Sequence, residues 1–332
     1  MERRVLVTGG AGFVGSHACK ALALAGFEPV AYDSLERGVE AAVRWGPLVR
    51  GDVCDREALG HAFACHRPVA VLHFAAYAYV GESVRDPARY YWNNVVGTLT
   101  LLEAMRHYGC HVIVFSSSCA TYGVPSCSPI AEDAAQVPIN PYGWTKLMVE
   151  RVLDDLSKAD GLRYAALRYF NAAGADPDGE IGENHDPETH LLPLIILTAL
   201  GRRAHLTIYG DDYPTPDGTA VRDYLHVSDL ARAHVLALRH LLEGGTSLRL
   251  NLGAGRGRSV LEMIAAVEHV AGASVPTTIA PRRQGDPPSL IADASRAHDL
   301  LGWTPRLGLD VVVQTAWDWF DSQGPLAPSR EP

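Results

Sequence analysis

Basic charge is what this 332-residue chain is short of: 29 Lys and Arg face 38 Asp and Glu, for a formal charge of −9. A nucleic acid or an anionic membrane surface needs a basic stripe, so neither is expected as a partner. Long apolar runs are missing too. The most apolar stretch, Leu191 to Leu200, is too short to span a bilayer and contains Pro193. No signal-peptide core precedes the strand-like run at Val5. Cys19, Cys54, Cys65, Cys110, Cys119 and Cys127 form no C-x-x-C pair and show no repeated spacing. Reduced thiols in a cytoplasmic protein are therefore expected. Repeats and low-complexity tracts are also lacking. What is present, 47% apolar and 20% charged residues, is ordinary for a soluble globular chain. Its length suits one large core or two of moderate size.

Short apolar runs alternate with longer amphipathic segments through the first half. Strands are predicted at Val5–Val7, Pro29–Tyr32, Val69–His73, Val112–Phe115 and Tyr164–Leu167, and helices at Ser16–Ala25, Asp86–His107 and Pro141–Ala159. Continuous Val/Ile/Leu runs suit strands buried on both faces, and βαβ alternation predicts a doubly wound parallel sheet. The stretches Ala173 to Pro187 and Gly210 to Gly218 read as irregular, while Leu248–Leu252 returns to the main sheet. The expected organisation is residues 1–175, with about 221–254, as one unit. About 176–220 and 255–325 make a smaller, discontinuous C-terminal unit that binds substrate.

The segment Val5-Leu-Val-Thr-Gly-Gly-Ala-Gly-Phe-Val-Gly15 leaves the first strand and opens the first helix. Gly9, Gly12 and Gly15, with Gly10, satisfy glycine spacings of a Rossmann-type dinucleotide turn. Glycine allows the tight turn and close backbone approach, and the helix start at Phe13 and Val14 then faces a pyrophosphate. Asp33 ends the second strand, where a carboxylate can bind the adenosine ribose of NAD. A 2′-phosphate would meet like charge there, although Arg37 nearby leaves NADP open. Asp52 and Val53 sit where adenine could rest; by spacing they are equally a strand-end turn.

In Asn140-Pro-Tyr-Gly-Trp-Thr-Lys146, Tyr142 and Lys146 stand four residues apart behind a helix-start signal and share a face. Alone, such a pair also fits a solvated helix surface. The run Val112-Ile-Val-Phe-Ser-Ser-Ser118 places serines at a strand's carboxyl end, where open α/β sheets bind ligands.

A glycine-rich turn, a strand-end Ser and Tyr-x-x-x-Lys together resemble the extended short-chain dehydrogenase/reductases, and within them the UDP-glucose 4-epimerases. Further matching segments are Val80-Gly-Glu-Ser83, Asn93-Asn94, Ser116-Ser-Ser-Cys-Ala-Thr-Tyr-Gly123, Arg168-Tyr-Phe-Asn171 and Val221-Arg-Asp-Tyr224. The resemblance covers nearly the whole chain. It implies reversible C4 epimerisation of UDP-glucose and UDP-galactose through a 4-keto sugar, with retained NAD. It selects Ser118 beside Tyr142 and Lys146 as catalytic. It also implies cofactor contacts from Phe74, Ala75, Ala76, Asn94, Ser116 and Tyr169. UDP-sugar contacts are implied for Asn171, His190, Leu191, Thr207, Tyr209, Arg222, Arg283 and Asp286. Without it, each arginine reads as a surface charge. A homodimer through the helices Asp86–His107 and Pro141–Ala159 is implied as well.

Removing hydride from a secondary alcohol needs a base for the proton, and a free phenol of pKa near ~10 is too weak at neutral pH. A cation about 4 Å away supplies roughly 4 kcal/mol at an effective dielectric near 20. Lys146, helped by a cationic nicotinamide, is thus expected to bring Tyr142 near neutrality. The chain departs from some family members at Ala78 (Lys there), His190 (Asn) and Leu290 (Tyr); the last widens the sugar pocket and suggests tolerance of N-acetylhexosamines. UDP-xylose/UDP-arabinose epimerisation stays open. A sugar-nucleotide dehydratase or decarboxylase is disfavoured, because Cys119-Ala120 lacks the needed acid or base. A non-enzymatic NAD-binding regulator is disfavoured because Ser, Tyr and Lys are all present. His185, Glu188 and His190 lie in an irregular loop with spacing unlike a zinc motif, so no metal is expected.

Overall fold

The protein is described here by a computed structural model covering residues 3–283 and 286–324. In chain order its strands are β1 (Arg4–Thr8), β2 (Glu28–Asp33), β3 (Leu48–Arg50), β4 (Ala70–His73), β5 (Val112–Ser118), β6 (Arg163–Tyr169), β7 (Asn171–Ala173), β8 (Leu206–Tyr209), β9 (Val221–His226), β10 (Leu248–Leu252), β11 (Gly257–Ser259), β12 (Thr277–Ala280) and β13 (Ser289–Leu290). The helices are α1 (Phe13–Leu24), α2 (Arg56–His66), α3 (Val80–Arg85), α4 (Pro87–Tyr90), α5 (Gly97–His107), α6 (Pro141–Asp160), α7 (Leu191–Ala199), α8 (Val227–Leu242), α9 (Val260–Ala271), α10 (Ser295–Leu301) and α11 (Leu309–Ser322).

Seven strands pair in the order β10-β6-β5-β4-β1-β2-β3, every neighbouring pair parallel. The all-apolar runs explain it: both faces of β1 are covered. Val5 and Val7 pack with Ala18 and Leu22 of α1 and with α8, while Leu6 packs with Phe63 of α2 and Leu101 of α5. The order reverses between β1 and β4, so the crevice for a ligand lies beyond the carboxyl ends of these strands. The predicted Rossmann-type sheet is present, with Leu248–Leu252 as its β10 edge.

A second layer holds the sugar-side residues. In it β9 pairs with β7, β11 and β13, β8 pairs with β12, and α7, α9 and α11 share a separate core with Ile195, Met263 and Val312. Thus β9, which the segment 221–254 had grouped with the main sheet, hydrogen-bonds into the second layer, whereas α8 and β10 belong to the first. The helix expected over Asp86–His107 is α4 and α5 joined by a π-helical turn, Tyr91–Val96. Such turns are over-represented at functional sites; this one carries Asn94 into the interior.

Candidate active site

The glycine turn is shaped by close approach. A Cβ on Gly9 (φ +72°) would lie 2.7 Å from the Ala75 nitrogen, and one on Gly15 would lie 2.0 Å from the Gly9 carbonyl oxygen. Gly12 is the N-cap of α1, no side chain caps that end, and Phe13, Val14 and Gly15 line a cavity of about 1210 Å³. An uncapped helix start facing open space is an anion site. Asp33 lies beside it, its two carboxylate oxygens accepting from the amides of Ala11 (2.9 Å) and Leu35 (2.9 Å). Burial pushes its pKa up while those amides oppose. Arg37 is engaged elsewhere, donating to Glu82 (3.0 Å) and to the Asp186 carbonyl (3.1 Å). With Asp33 paired to no cation among the described residues, the end near β2 suits ribose hydroxyls better than a 2′-phosphate. Asp52 and Val53 line the cavity as well; Asp52 Oδ1 accepts from the Cys54 amide at 2.7 Å. Phe74, Ala75 and Ala76, at the end of β4, form the opposite wall. These residues fit a dinucleotide.

Strand alternation sorts the three serines. Ser116 and Ser118 line the cavity, and Ser117 turns away to donate to Glu150 at 2.5 Å. Ser116 Oγ bonds the Tyr169 hydroxyl, and Ser118 Oγ accepts from the Ala120 amide at 3.1 Å. Helix α6 starts as its sequence predicts: Asn140 Oδ1 accepts from the Gly143 amide (2.8 Å) and Pro141 occupies the first turn. That start projects Tyr142 and Lys146 into the same cavity. Lys146 Nζ donates to the Ser116 carbonyl oxygen at 2.8 Å and stands 5.7 Å from the centroid of the Tyr142 ring.

Here the electrostatics differ from the expectation. Burial pushes the Tyr142 phenol up to about 12, with the Ser118 hydroxyl opposing, and pulls Lys146 down to about 7. The sequence argument counted the attraction between the pair but not the desolvation of both. The attraction of the Lys146 ammonium for the phenolate therefore works against the desolvation of both groups. It is not sufficient alone.

At the far end the cavity is lined by Asn171, His190, Leu191, Thr207, Tyr209, Arg222, Arg283, Asp286 and Leu290. The structure brings these together from β7, α7, β8, β9 and the segment before β13. They partner each other: Arg222 pairs with Asp286, and the Arg283 guanidinium lies 4.1 Å over the Tyr209 ring. Asn94, expected to contact the cofactor, is placed behind the wall. Asn94 lies outside the cavity wall, which its neighbour Asn93 reaches instead. Its amide accepts from the Tyr77 nitrogen (2.9 Å) and donates to the Tyr77 carbonyl (2.9 Å) and Thr145 Oγ1 (3.1 Å). Asn94 clamps the wall from behind.

A model of the NAD dependent epimerase/dehydratase family matches residues 5–253. A UDP-glucose 4-epimerase of Rhizobium meliloti is 53% identical over 96% of this chain and 97% of its own length. The chain belongs to this family of epimerases. The crystal structure of UDP-glucose 4-epimerase from Brucella ovis in complex with NAD is 56% identical, with a TM-score of 0.94 over 96% of this chain and 98% of that one. A UDP-glucose 4-epimerase structure from Stenotrophomonas maltophila, with NAD and formylated UDP-arabinopyranose bound, is 44% identical at a TM-score of 0.94, covering 97% and 98%.

One arrangement in this family member escaped the sequence reading, and a second was weighed there only in part, without Glu183. Arg168 and Glu150, each about 2% exposed, form a buried pair between β6 and α6. Glu183, His185, Glu188 and His190 converge at the cavity rim, where burial opposes charge on both imidazoles but the carboxylates together outweigh it and draw them toward protonation. Neither has a local signature: the first pairs positions in separate elements, and the second is a loop whose spacing follows no helix or strand period. Among the described residues no helix is long and apolar enough to cross a membrane.

Proposed function

We propose that the chain interconverts UDP-glucose and UDP-galactose by NAD-dependent inversion at carbon 4. One observation supports this: Ser118, Tyr142 and Lys146 line the same cavity as the glycine turn and Asp33 and as Tyr209, Arg222, Arg283 and Asp286. In this reading residues 1–175, with about 221–254, form the unit that holds the dinucleotide, while Asn171 and Arg222 at its border with the second layer reach the UDP-sugar. About 176–220 and 255–325 hold the UDP-sugar (residue 325 lies outside the described residues).

NAD, when bound, accepts a hydride from carbon 4 and later returns it. Tyr142, as phenolate, takes the proton of the 4-hydroxyl as that hydride leaves, so the sugar becomes a 4-ketone. After the ketone presents its other face, Tyr142 gives the proton back to the oxygen, and the inverted alcohol results. Ser118 hydrogen-bonds that oxygen in both directions. Lys146 supports the phenolate, which the positive charge of a bound oxidised nicotinamide would stabilise further. Asp33 binds the adenosine ribose; Asp52 and Val53 border adenine; Ser116 and Tyr169 flank the nicotinamide. Arg222 and Arg283 exchange their present partners for the diphosphate, which frees Tyr209 for uracil and Asp286 for ribose hydroxyls. Asn171, Thr207, His190 and Leu191 complete the sugar-nucleotide wall.

UDP-pentoses are a second reading, supported by the arabinopyranose nucleotide in the Stenotrophomonas relative. Tolerance of N-acetylhexosamines is a third, supported by Leu290 in the cavity wall. A homodimer is supported by the exposed apolar side chains of Trp92, Leu99, Trp144 and Met148 around α5 and α6. A reducing cytoplasmic setting is supported by six free cysteines.

Incubating purified protein with UDP-galactose and resolving the nucleotide sugars tests the reaction. UDP-glucose should accumulate; an unsaturated, decarboxylated or absent product rejects it. The Tyr142→Phe chain should keep its fold and bound NAD but turn over about 10²–10⁴-fold more slowly.

A further inference from the structure

The loop between β7 and α7 gathers a donor set of which the proposed reaction uses only His190, at the sugar-nucleotide wall. Glu183, His185, Glu188 and His190 each offer one ligand atom, all within 4.8 Å of one another. His190 Nδ1 stands 2.8 Å from Glu183 Oε1 and 2.9 Å from Glu188 Oε1. His185 Nδ1 stands 3.0 Å from Glu183 Oε1 and 3.7 Å from Glu188 Oε2. Glu188 Oε2 has no hydrogen-bond partner, although that side chain is only 9% exposed. A buried carboxylate oxygen left unpaired costs free energy until a cation reaches it.

We propose that these four side chains bind one divalent transition-metal ion, zinc by preference, which ties residues 183–190 into a rigid strap at the cavity rim. Two imidazole nitrogens and two carboxylate oxygens suit zinc and its first-row neighbours, whereas magnesium and calcium favour all-oxygen shells. Tetrahedral zinc with bonds of about 2.1 Å sets its donor atoms roughly 3.4 Å apart. The imidazole–carboxylate separations, 2.8 to 3.7 Å, bracket that spacing, and all four donor atoms lie within 4.8 Å of one another. Two carboxylates and two neutral imidazoles carry charge −2, which a divalent ion cancels.

The backbone of this loop is already held from both sides. Trp319 Nε1 donates to the Glu183 carbonyl at 2.9 Å, and Arg37 donates to the Asp186 carbonyl at 3.1 Å. The His185 ring meets Phe13 of the glycine turn edge-on at 6.3 Å between centroids and Tyr79 at 6.0 Å. The ion therefore fixes the strap against the cofactor end of the cavity and touches no reacting atom. The competing arrangement is a self-neutralised cluster with both histidines protonated, which leaves Glu188 Oε2 unpaired.

Zinc binding to the untagged full-length chain, stripped with chelator and dialysed, separates the two. Cys65 and His61 stand 3.5 Å apart on the surface and could hold zinc adventitiously, so the Cys65→Ser chain is measured alongside. The expected result is one zinc per chain, retained through gel filtration, in both wild-type and Cys65→Ser proteins. It is lost in Glu188→Gln and in His185→Asn. Added zinc should also raise the melting temperature of stripped wild type, by mass action on the folded state, without raising that of Glu188→Gln. Wild type that retains no zinc and shows no melting shift overturns the site. So does binding that persists in both folded cluster variants.

Discussion

Lys146 shows best how a single residue's setting decides its chemistry. Its ammonium is buried with one carbonyl partner and no carboxylate, and desolvation alone brings its pKa from 10.5 to about 7. Below pH 7 the proton is bound in both folded and unfolded chains, so folding bears a constant cost. Between about 7 and 10.5 only the unfolded chain keeps it, so stability rises with pH across that window. For the NAD-stripped protein this predicts a gain of about 3 kcal/mol from pH 6.5 to 9.5 relative to Lys146→Met. Urea denaturation at the two pH values checks it; parallel pH responses of the two proteins contradict it. At this scale the candidate site was largely legible, because Tyr142, Lys146, Asp33 and the glycines sit where element ends announce them. Which serine reaches the cavity was legible only once strand alternation was known. Nor did the sequence reveal that burial opposes Lys146's influence on Tyr142, since depth is set by residues far along the chain.

Among the elements, α6 carries the chemistry, and Glu150, two turns beyond Tyr142, holds it in register. Glu150 accepts from Ser117 Oγ (2.5 Å), Arg168 Nε (2.9 Å) and Arg168 Nη2 (2.6 Å). It thereby joins α6 to β5 and β6 directly behind Ser116 and Ser118. Glu150→Ala leaves Arg168 buried without its counter-ion and should cost about 3–5 kcal/mol. Adding Arg168→Met should restore much of that loss. Denaturant midpoints of the single and double variants measure both; equal midpoints for wild type and Glu150→Ala would refute the clamp. This pair was invisible in the sequence, because a Glu on an amphipathic helix and an Arg in a strand each read as surface charge. The π turn was equally hidden. It differs from an α-helix by one hydrogen-bond register, and its consequence is that Asn94 faces inward.

For the whole molecule, βαβ alternation made the parallel sheet readable, including the late return of Leu248–Leu252. The second layer was readable only as a change of pattern, because its strands are short, and β9 crosses from one layer toward the other immediately before α8. The exposed Trp92, Leu99, Trp144 and Met148 suggest that α5 and α6 meet a second copy of the chain. Leu99→Asp should then shift the protein from dimer to monomer in light scattering, and an unchanged mass would remove the interface. The central claim is that one hydride leaves carbon 4 and the same hydride returns. Conversion of UDP-galactose in D₂O, followed by proton NMR, tests this most directly. The account predicts UDP-glucose carrying protium at carbon 4. Deuterium at that carbon, or no UDP-glucose at all, would contradict it.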